Sequence, residues 1–120
     1  MDKNKKEQLE ALQVLSDFQD KIIGNTKILI DELKIEKKKD TDKLLKSVTD
    51  ALNWEMSILN STLDFINEKE EVLRKTDINH AVMALSEALQ TQKDDKIAEE
   101  LEQSLLPMLL QVKAAVQEVR

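Results

Sequence analysis

Residues 42–73 read DKLLKSVTDALNWEMSILNSTLDFINEKEEVL, and this stretch decides the fold class. Its apolar residues recur at steps of three and four, which is the period of an amphipathic α-helix. The main row comprises Leu45, Val48, Leu52, Met56, Leu59, Leu63, Ile66 and Leu73, and a second row beside it comprises Ala51, Trp54, Ile58, Phe65 and Val72. Because a helix with so broad an apolar face contacts more than one neighbour, we predict that this helix is the central element.

The same period extends over most of the remaining chain. It predicts further helices over about residues 5–38, 77–91 and 95–119, joined by polar turns. The apolar row predicted for the first of these comprises Leu12, Leu15, Phe18, Ile22, Leu29 and Leu33. Gly24 interrupts the first pattern, and a glycine within a helix destabilises it by about 1 kcal/mol relative to alanine. We therefore expect one bent helix here. The alternative is a break into two helices at Gly24-Asn25. Pro107 lies within the last pattern and predicts a kink, because proline lacks a backbone donor and its ring clashes with the preceding turn.

The composition supports a single helical domain over residues 1–120. One Gly and one Pro in 120 residues are too few for the many turns of a β fold. Aromatic residues make up only 2% of the chain, so Leu, Ile, Val, Met and Ala must fill the core. We therefore predict an all-α, antiparallel four-helix bundle with two long and two shorter helices, the last of them kinked at Pro107.

Charge and residue usage exclude several functional classes. The formal net charge of −6 disfavours nucleic acid as a partner, since phosphate binding needs clustered Lys and Arg. With no Cys and a single His, His80, the chain offers neither a zinc site nor a nucleophile triad, and one Gly rules out a phosphate-binding loop.

The sequence shows no signal peptide and no apolar run of membrane-spanning length. We expect a cytoplasmic protein without a cofactor or metal, and one that does not insert into membranes.

Paired carboxylates are the one enzymatic alternative that the sequence leaves open. Some all-α nucleotide pyrophosphohydrolases bind Mg²⁺ through Glu-x-x-Glu pairs on neighbouring helices, and hard cations prefer clustered oxygen ligands. Glu68 with Glu71, and Glu99 with Glu102, have this spacing. These residues flank the apolar rows, and no neighbouring residues are suited to holding a nucleotide. We therefore predict a protein that is not an enzyme.

One side of the predicted central helix carries small, mostly uncharged polar residues at helical spacing: Asn53, Ser57, Asn60, Ser61 and Asp64. Such a row is either solvated or a surface that another helix approaches closely. We take these five residues as the candidate interaction face.

Charge is unevenly distributed along the chain. Residues 34–46 contain six Lys against three acidic residues, whereas residues 64–102 contain 11 acidic residues against five basic ones. The lysine cluster is either a solvated helix end or a docking site for an acidic partner, which includes a second copy of this chain.

The most distinctive segment of the sequence runs from Ala88-Leu89 through Asp95-Lys96-Ile97-Ala98-Glu99-Glu100-Leu101-Glu102 to Leu105-Leu106-Pro107. It resembles a pattern found in uncharacterised helical-domain proteins of low-GC bacteria, over about the last third of the chain. This resemblance implies no functional residue. In size, acidity and helix count the chain is also similar to flagellar type III export chaperones, which bind a helical terminus of one partner.

The two long predicted helices extend beyond what the third helix can cover, and uncovered apolar surface normally marks a binding site. We therefore predict a non-enzymatic protein–protein interaction module, an adaptor or chaperone-like helical bundle, that binds a protein partner or itself as a homodimer. The carboxylate enzyme above is one alternative. The other is an acidic decoy that mimics nucleic acid.

Overall fold

The computed structural model describes residues 3–119, and within this range it contains four helices and no strand. The fourth helix is continuous but has three parts, which we label α4, a π-helical turn and α5. The elements are α1 (Lys3–Lys34), α2 (Thr41–Ile66), α3 (Lys75–Thr91), α4 (Asp94–Glu100), the π-helical turn (Leu101–Leu105) and α5 (Leu106–Val119). The chain packs into a body of 50 × 24 × 19 Å, in which the length corresponds to that of α1.

The first helix passes through Gly24 without a break. All 32 residues of α1 are helical, and a methyl group at Gly24 would meet no atom within 4 Å. The glycine is therefore not needed for a turn or for a close helix contact. The apolar residues on both sides of it keep the helix packed, which offsets the poor helix propensity of one residue.

The second helix ends at Ile66, seven residues before the predicted end at residue 73, so that prediction was wrong. Asn67 causes the stop by bonding to the chain that follows it. Its Oδ1 accepts hydrogen bonds from the backbone N–H groups of Val72 (2.9 Å) and Leu73 (3.0 Å), and its Nδ2 donates to the carbonyl of Leu73 (2.7 Å). Leu73 is buried at the end of this loop rather than on a helix.

The contacts between α1 and α2 run in opposite order along the two helices. The beginning of α1 contacts the chain just after α2, the middle contacts the middle, and the end contacts the beginning of α2. The pairs are Lys5 with Glu68, Gln19 with Glu55, and Glu32 with Thr41. The residues between α1 and α2 therefore form a connection at one end of the molecule.

The last helical stretch packs along α1 in the same manner. The helix that contacts the most neighbours is therefore α1, and the prediction that α2 is the central element was wrong. The Lys34 Nζ lies 2.8 Å from the Glu102 Oε1, and the Gln19 Nε2 donates to the carbonyl oxygen of Leu109 at 2.9 Å. The π-helical turn directly precedes Pro107, and in it the N–H of Leu106 bonds to the carbonyl of Leu101, five residues back. A π turn widens the helix where proline removes a donor.

The core is largely aliphatic, and two aromatic residues that the sequence placed in apolar rows, Phe18 and Trp54, are exposed instead. Phe18 was expected in the buried row of α1, but it is half exposed, and Gln19 takes the buried position. Alternating steps of three and four from Leu12 and Leu15 lead to residue 19. The position on the helix therefore decides that Gln19 is buried, although Phe18 is the more apolar side chain. The buried row of α1 comprises Leu12, Leu15, Gln19, Ile22, Thr26, Leu29 and Leu33.

Candidate interaction surface

The side of α1 that faces away from the core carries a second row of residues, again at steps of four and three. Three of its apolar members are exposed to a degree unusual for large side chains: Val14 (44%), Phe18 (49%) and Ile28 (51%). Ile35, just past the end of α1, is almost fully exposed. The complete row is Val14, Phe18, Lys21, Asn25, Ile28, Glu32 and Ile35.

Helix α2 has a matching row beside it. Its members are Ser47, Ala51, Trp54, Ile58, Ser61 and Phe65, which are all exposed or half-buried. The two rows meet where the rings of Phe18 and Trp54 pack edge to face, with centroids 5.9 Å apart and an interplanar angle of 83°. We call the two rows together, over residues 14–35 of the first and 47–65 of the second, the α1–α2 outer surface.

An open groove lies at the centre of the α1–α2 outer surface. It has a volume of about 470 Å³, and its walls are mainly apolar. The lining residues are Val14, Phe18, Lys21, Ile22, Asn25, Ala51 and Trp54. Because both helices present side chains at coiled-coil spacing here, the groove is a candidate site for packing against helices of a partner.

The five residues predicted as the interaction face, Asn53, Ser57, Asn60, Ser61 and Asp64, are all exposed on α2. Ser61 belongs to the α1–α2 outer surface itself, and its hydroxyl donates to the carbonyl of Ile58 at 2.9 Å. The other four lie alongside that surface. Sequence reasoning identified the polar border of the patch but missed its apolar half on α1, because it assigned Phe18 to the core.

A buried polar pair joins α1 and α2. Gln19 and Glu55 directly follow Phe18 and Trp54 in the sequence, and both side chains are in the interior. The Gln19 Nε2 lies 3.5 Å from the Glu55 Oε2. Burial raises the pKa of the Glu55 carboxyl to about 7, and the hydrogen bond from Gln19 opposes this rise. Sequence reasoning missed this pair, because a single Gln or Glu in a helix is usually solvated.

The four glutamates of the carboxylate alternative are all exposed, and three of them pair with basic side chains. Glu68 pairs with Lys5 (3.0 Å), and Glu102 pairs with Lys34 (2.8 Å). Within residues 3–119, no three His, Cys, Asp or Glu side chains come together in a way that could hold a metal ion. His80 is exposed on α3, beside Asp77 in a shallow depression.

The lysine cluster predicted at the first turn forms the connection between α1 and α2. Lys37 lies 3.2 Å from Asp42 and 3.6 Å from Asp94, so it joins this connection to the start of α4. The hydrogen bond from Lys37 to Asp42 raises the pKa of the lysine. The neighbouring Lys38, Lys39 and Lys43 are exposed. This end of the molecule therefore presents a basic surface, although part of its charge is paired.

These features define a small all-α domain with an exposed apolar face on one helix pair. The chain belongs to the family described as "Domain of unknown function (DUF8042)", whose model matches residues 10–115. The match covers all four helices, which is far more than the last third over which the sequence resembles an uncharacterised helical family. No curated protein and no solved structure matches the chain. Within residues 3–119, no helix is long and apolar enough to cross a membrane.

Proposed function

We propose that this chain is a non-enzymatic protein–protein interaction module, an adaptor or chaperone-like helical bundle that binds its partner through the α1–α2 outer surface. The observation that carries the proposal is the pair Phe18 and Trp54. Two large aromatic side chains in contact with each other remain partly exposed on the same face. Aromatic residues are enriched at the centres of protein interfaces, where they contribute much of the binding energy.

The surroundings of this pair support the same function. Val14 lies about one helical turn before Phe18 in this row, and Ile28 lies about three turns after it. Ala51 is small enough to let a partner helix approach Trp54 closely. An exposed apolar patch of this kind, interrupted by Lys21 and Asn25 and bordered by the polar residues of α2, is typical of a binding site.

We further infer that the four helices form an antiparallel bundle, in which Pro107 bends the last helix. The opposite order of the α1–α2 contacts supports the first part, and the π-helical turn before Pro107 supports the second. The bundle holds α1 and α2 rigidly side by side, so the partner meets a preformed surface. We expect the protein to act in the cytoplasm, without a cofactor.

Site-specific photocrosslinking in the native host tests the proposal. A photoreactive phenylalanine analogue replaces Ile28 on the α1–α2 outer surface, and the crosslinked polypeptides are identified by mass spectrometry. We expect one defined polypeptide to crosslink at this position, because a bound partner would cover the side chain.

The matched control places the same analogue at Met83 on α3, an equally exposed apolar position (59%) on another side of the molecule. It should give no defined product. If Ile28 also gave none, or if both positions gave the same products, the proposal would be contradicted.

A further inference from the structure

We infer that the partner of the α1–α2 outer surface is the same surface of a second copy of this chain, with the two copies antiparallel. This inference rests on the proposed function, since it names the occupant of the same surface. Three observations carry it: the dimensions of the surface, the distribution of charge along the helix pair, and the spacing of one row of residues.

The dimensions fit a partner that is two helices wide. From Val14 to Ile35 the surface extends about 32 Å, at 1.5 Å per residue. Two packed helices are about 20 Å across, given an interaxial distance of about 10 Å. One docked helix would cover only half of this width, whereas the α1–α2 pair of a second copy covers all of it. The resulting contact is comparable with the ~800 Å² that each partner buries in a stable complex.

Charge favours the antiparallel orientation. The connecting end of the helix pair, residues 34–46, has six Lys against three acidic residues. The other end comprises residues 64–71 and the start of α1, residues 3–10, which together have six acidic residues against four Lys. In an antiparallel dimer the basic end of each copy lies over the acidic end of the other. A parallel dimer would place like charges together, which opposes association.

The spacing of one row sets the register. Val14, Lys21 and Ile28 follow one another at intervals of seven residues on the exposed side of α1. A two-fold axis that passes through the level of Lys21 places Val14 of each copy against Ile28 of the other. At the axis the two Lys21 side chains meet, and their long stems let both charged groups turn outward into solvent. The apolar residues on either side of the axis are then matched.

Disulfide trapping of the purified full-length chain tests this arrangement. The protein contains no Cys, so single substitutions report on one position each. We expect chains carrying Val14→Cys to form a disulfide with chains carrying Ile28→Cys under mild oxidation, and neither variant to crosslink with itself. Met83→Cys mixed with Ile28→Cys should give no disulfide.

Sedimentation of the unmodified chain at micromolar concentration should give a dimer, which Ile28→Glu converts to monomer and Met83→Glu leaves intact.

Each other outcome overturns the inference. Crosslinking of Ile28→Cys with itself, in place of the mixed product, would indicate a parallel dimer. A monomeric chain that still yields a defined foreign polypeptide by photocrosslinking at Ile28 would refute self-association and leave the proposed function intact. A monomeric chain with no photocrosslinked product would refute both. Circular dichroism of each variant confirms that the helical fold is retained.

Discussion

The Gln19 Nε2 lies 3.5 Å from the Glu55 Oε2 between α1 and α2, and it also donates to the carbonyl of Leu109 at 2.9 Å. One polar side chain thus links three helical segments through the interior. The remaining oxygens of the pair, Gln19 Oε1 and Glu55 Oε1, have no hydrogen-bond partner among the described residues. Buried polar atoms without partners cost stability, so the centre of this core is less stable than an aliphatic one would be.

Glu55→Gln should stabilise the protein at neutral and alkaline pH. The pKa of Glu55 rises from 4.5 to about 7 on folding because of burial, so between these values the folded state holds a proton that the unfolded state has released. Stability therefore falls as pH rises through this range and stays low above it, by about 3 kcal/mol. The amide stays neutral at every pH and removes this loss. Urea unfolding at pH 5 and pH 8 measures the difference.

The control for this prediction is Glu99→Gln, since Glu99 is an exposed carboxylate on α4. It should leave the unfolding free energy and its pH dependence unchanged. A wild-type protein whose stability does not fall between pH 5 and pH 8 would show that Glu55 is ionised in the folded state at both values.

Asn67→Ala should destabilise the protein by about 1–3 kcal/mol. The side chain makes three hydrogen bonds to the backbone of Val72 and Leu73, and the substitution leaves these backbone groups without their partners. Thermal unfolding followed by circular dichroism gives the effect. Asn60→Ala, at an exposed position on α2, should change the melting temperature little. Equal effects of the two substitutions would argue that the loop after α2 does not depend on Asn67.

Gly24→Ala should stabilise the protein by about 0.5–1 kcal/mol, because alanine has a higher helix propensity and restricts the unfolded chain. The added methyl group meets no atom within 4 Å, so no clash offsets the gain. Chemical denaturation measures it. Destabilisation would show instead that residue 24 needs the flexibility of glycine.

Pro107→Ala should stabilise the protein by about 1 kcal/mol. The substitution restores a backbone hydrogen-bond donor within the last helix. A proline inside a helix destabilises it by ~3 kcal/mol. The preceding π-helical turn already relieves part of this cost, so the expected gain is smaller. The exposed Gln117→Ala in α5 is the control and should have a smaller effect. If Pro107→Ala lowered the melting temperature, the proline ring would be required to position Leu101 and Leu105 in the core.

Mg²⁺ or Mn²⁺ at millimolar concentration should leave the melting temperature unchanged. Glu68 and Glu102 already pair with lysines, whose positive charges oppose the binding of a cation. Thermal shift assays with and without metal test this expectation. An increase in melting temperature with metal that Glu71→Gln or Glu99→Gln abolished would support the Mg²⁺-dependent enzyme instead of an interaction module.

The sequence determined the helices where apolar spacing is strong and local. The number of helices and the all-α class followed from the periodic rows and the scarcity of glycine and proline. The starts of α2, α3 and α4 were each predicted to within two residues. The end of α2 was not, because the hydrogen bonds of Asn67 reach residues five and six positions ahead, and such contacts leave no periodic signal.

Only the tertiary structure decided which side of each helix is buried. The sequence favoured Phe18 for the core and gave no reason to bury Gln19 or Glu55. Packing of α1 against two neighbours fixes the rotation of the helix, and that rotation places Gln19 inside and Phe18 outside beside Trp54. A helix rotates as one body, so the many leucines of its inner row outweigh the preference of any single side chain. The exposed aromatic pair on which the proposed function rests is a consequence of that rotation.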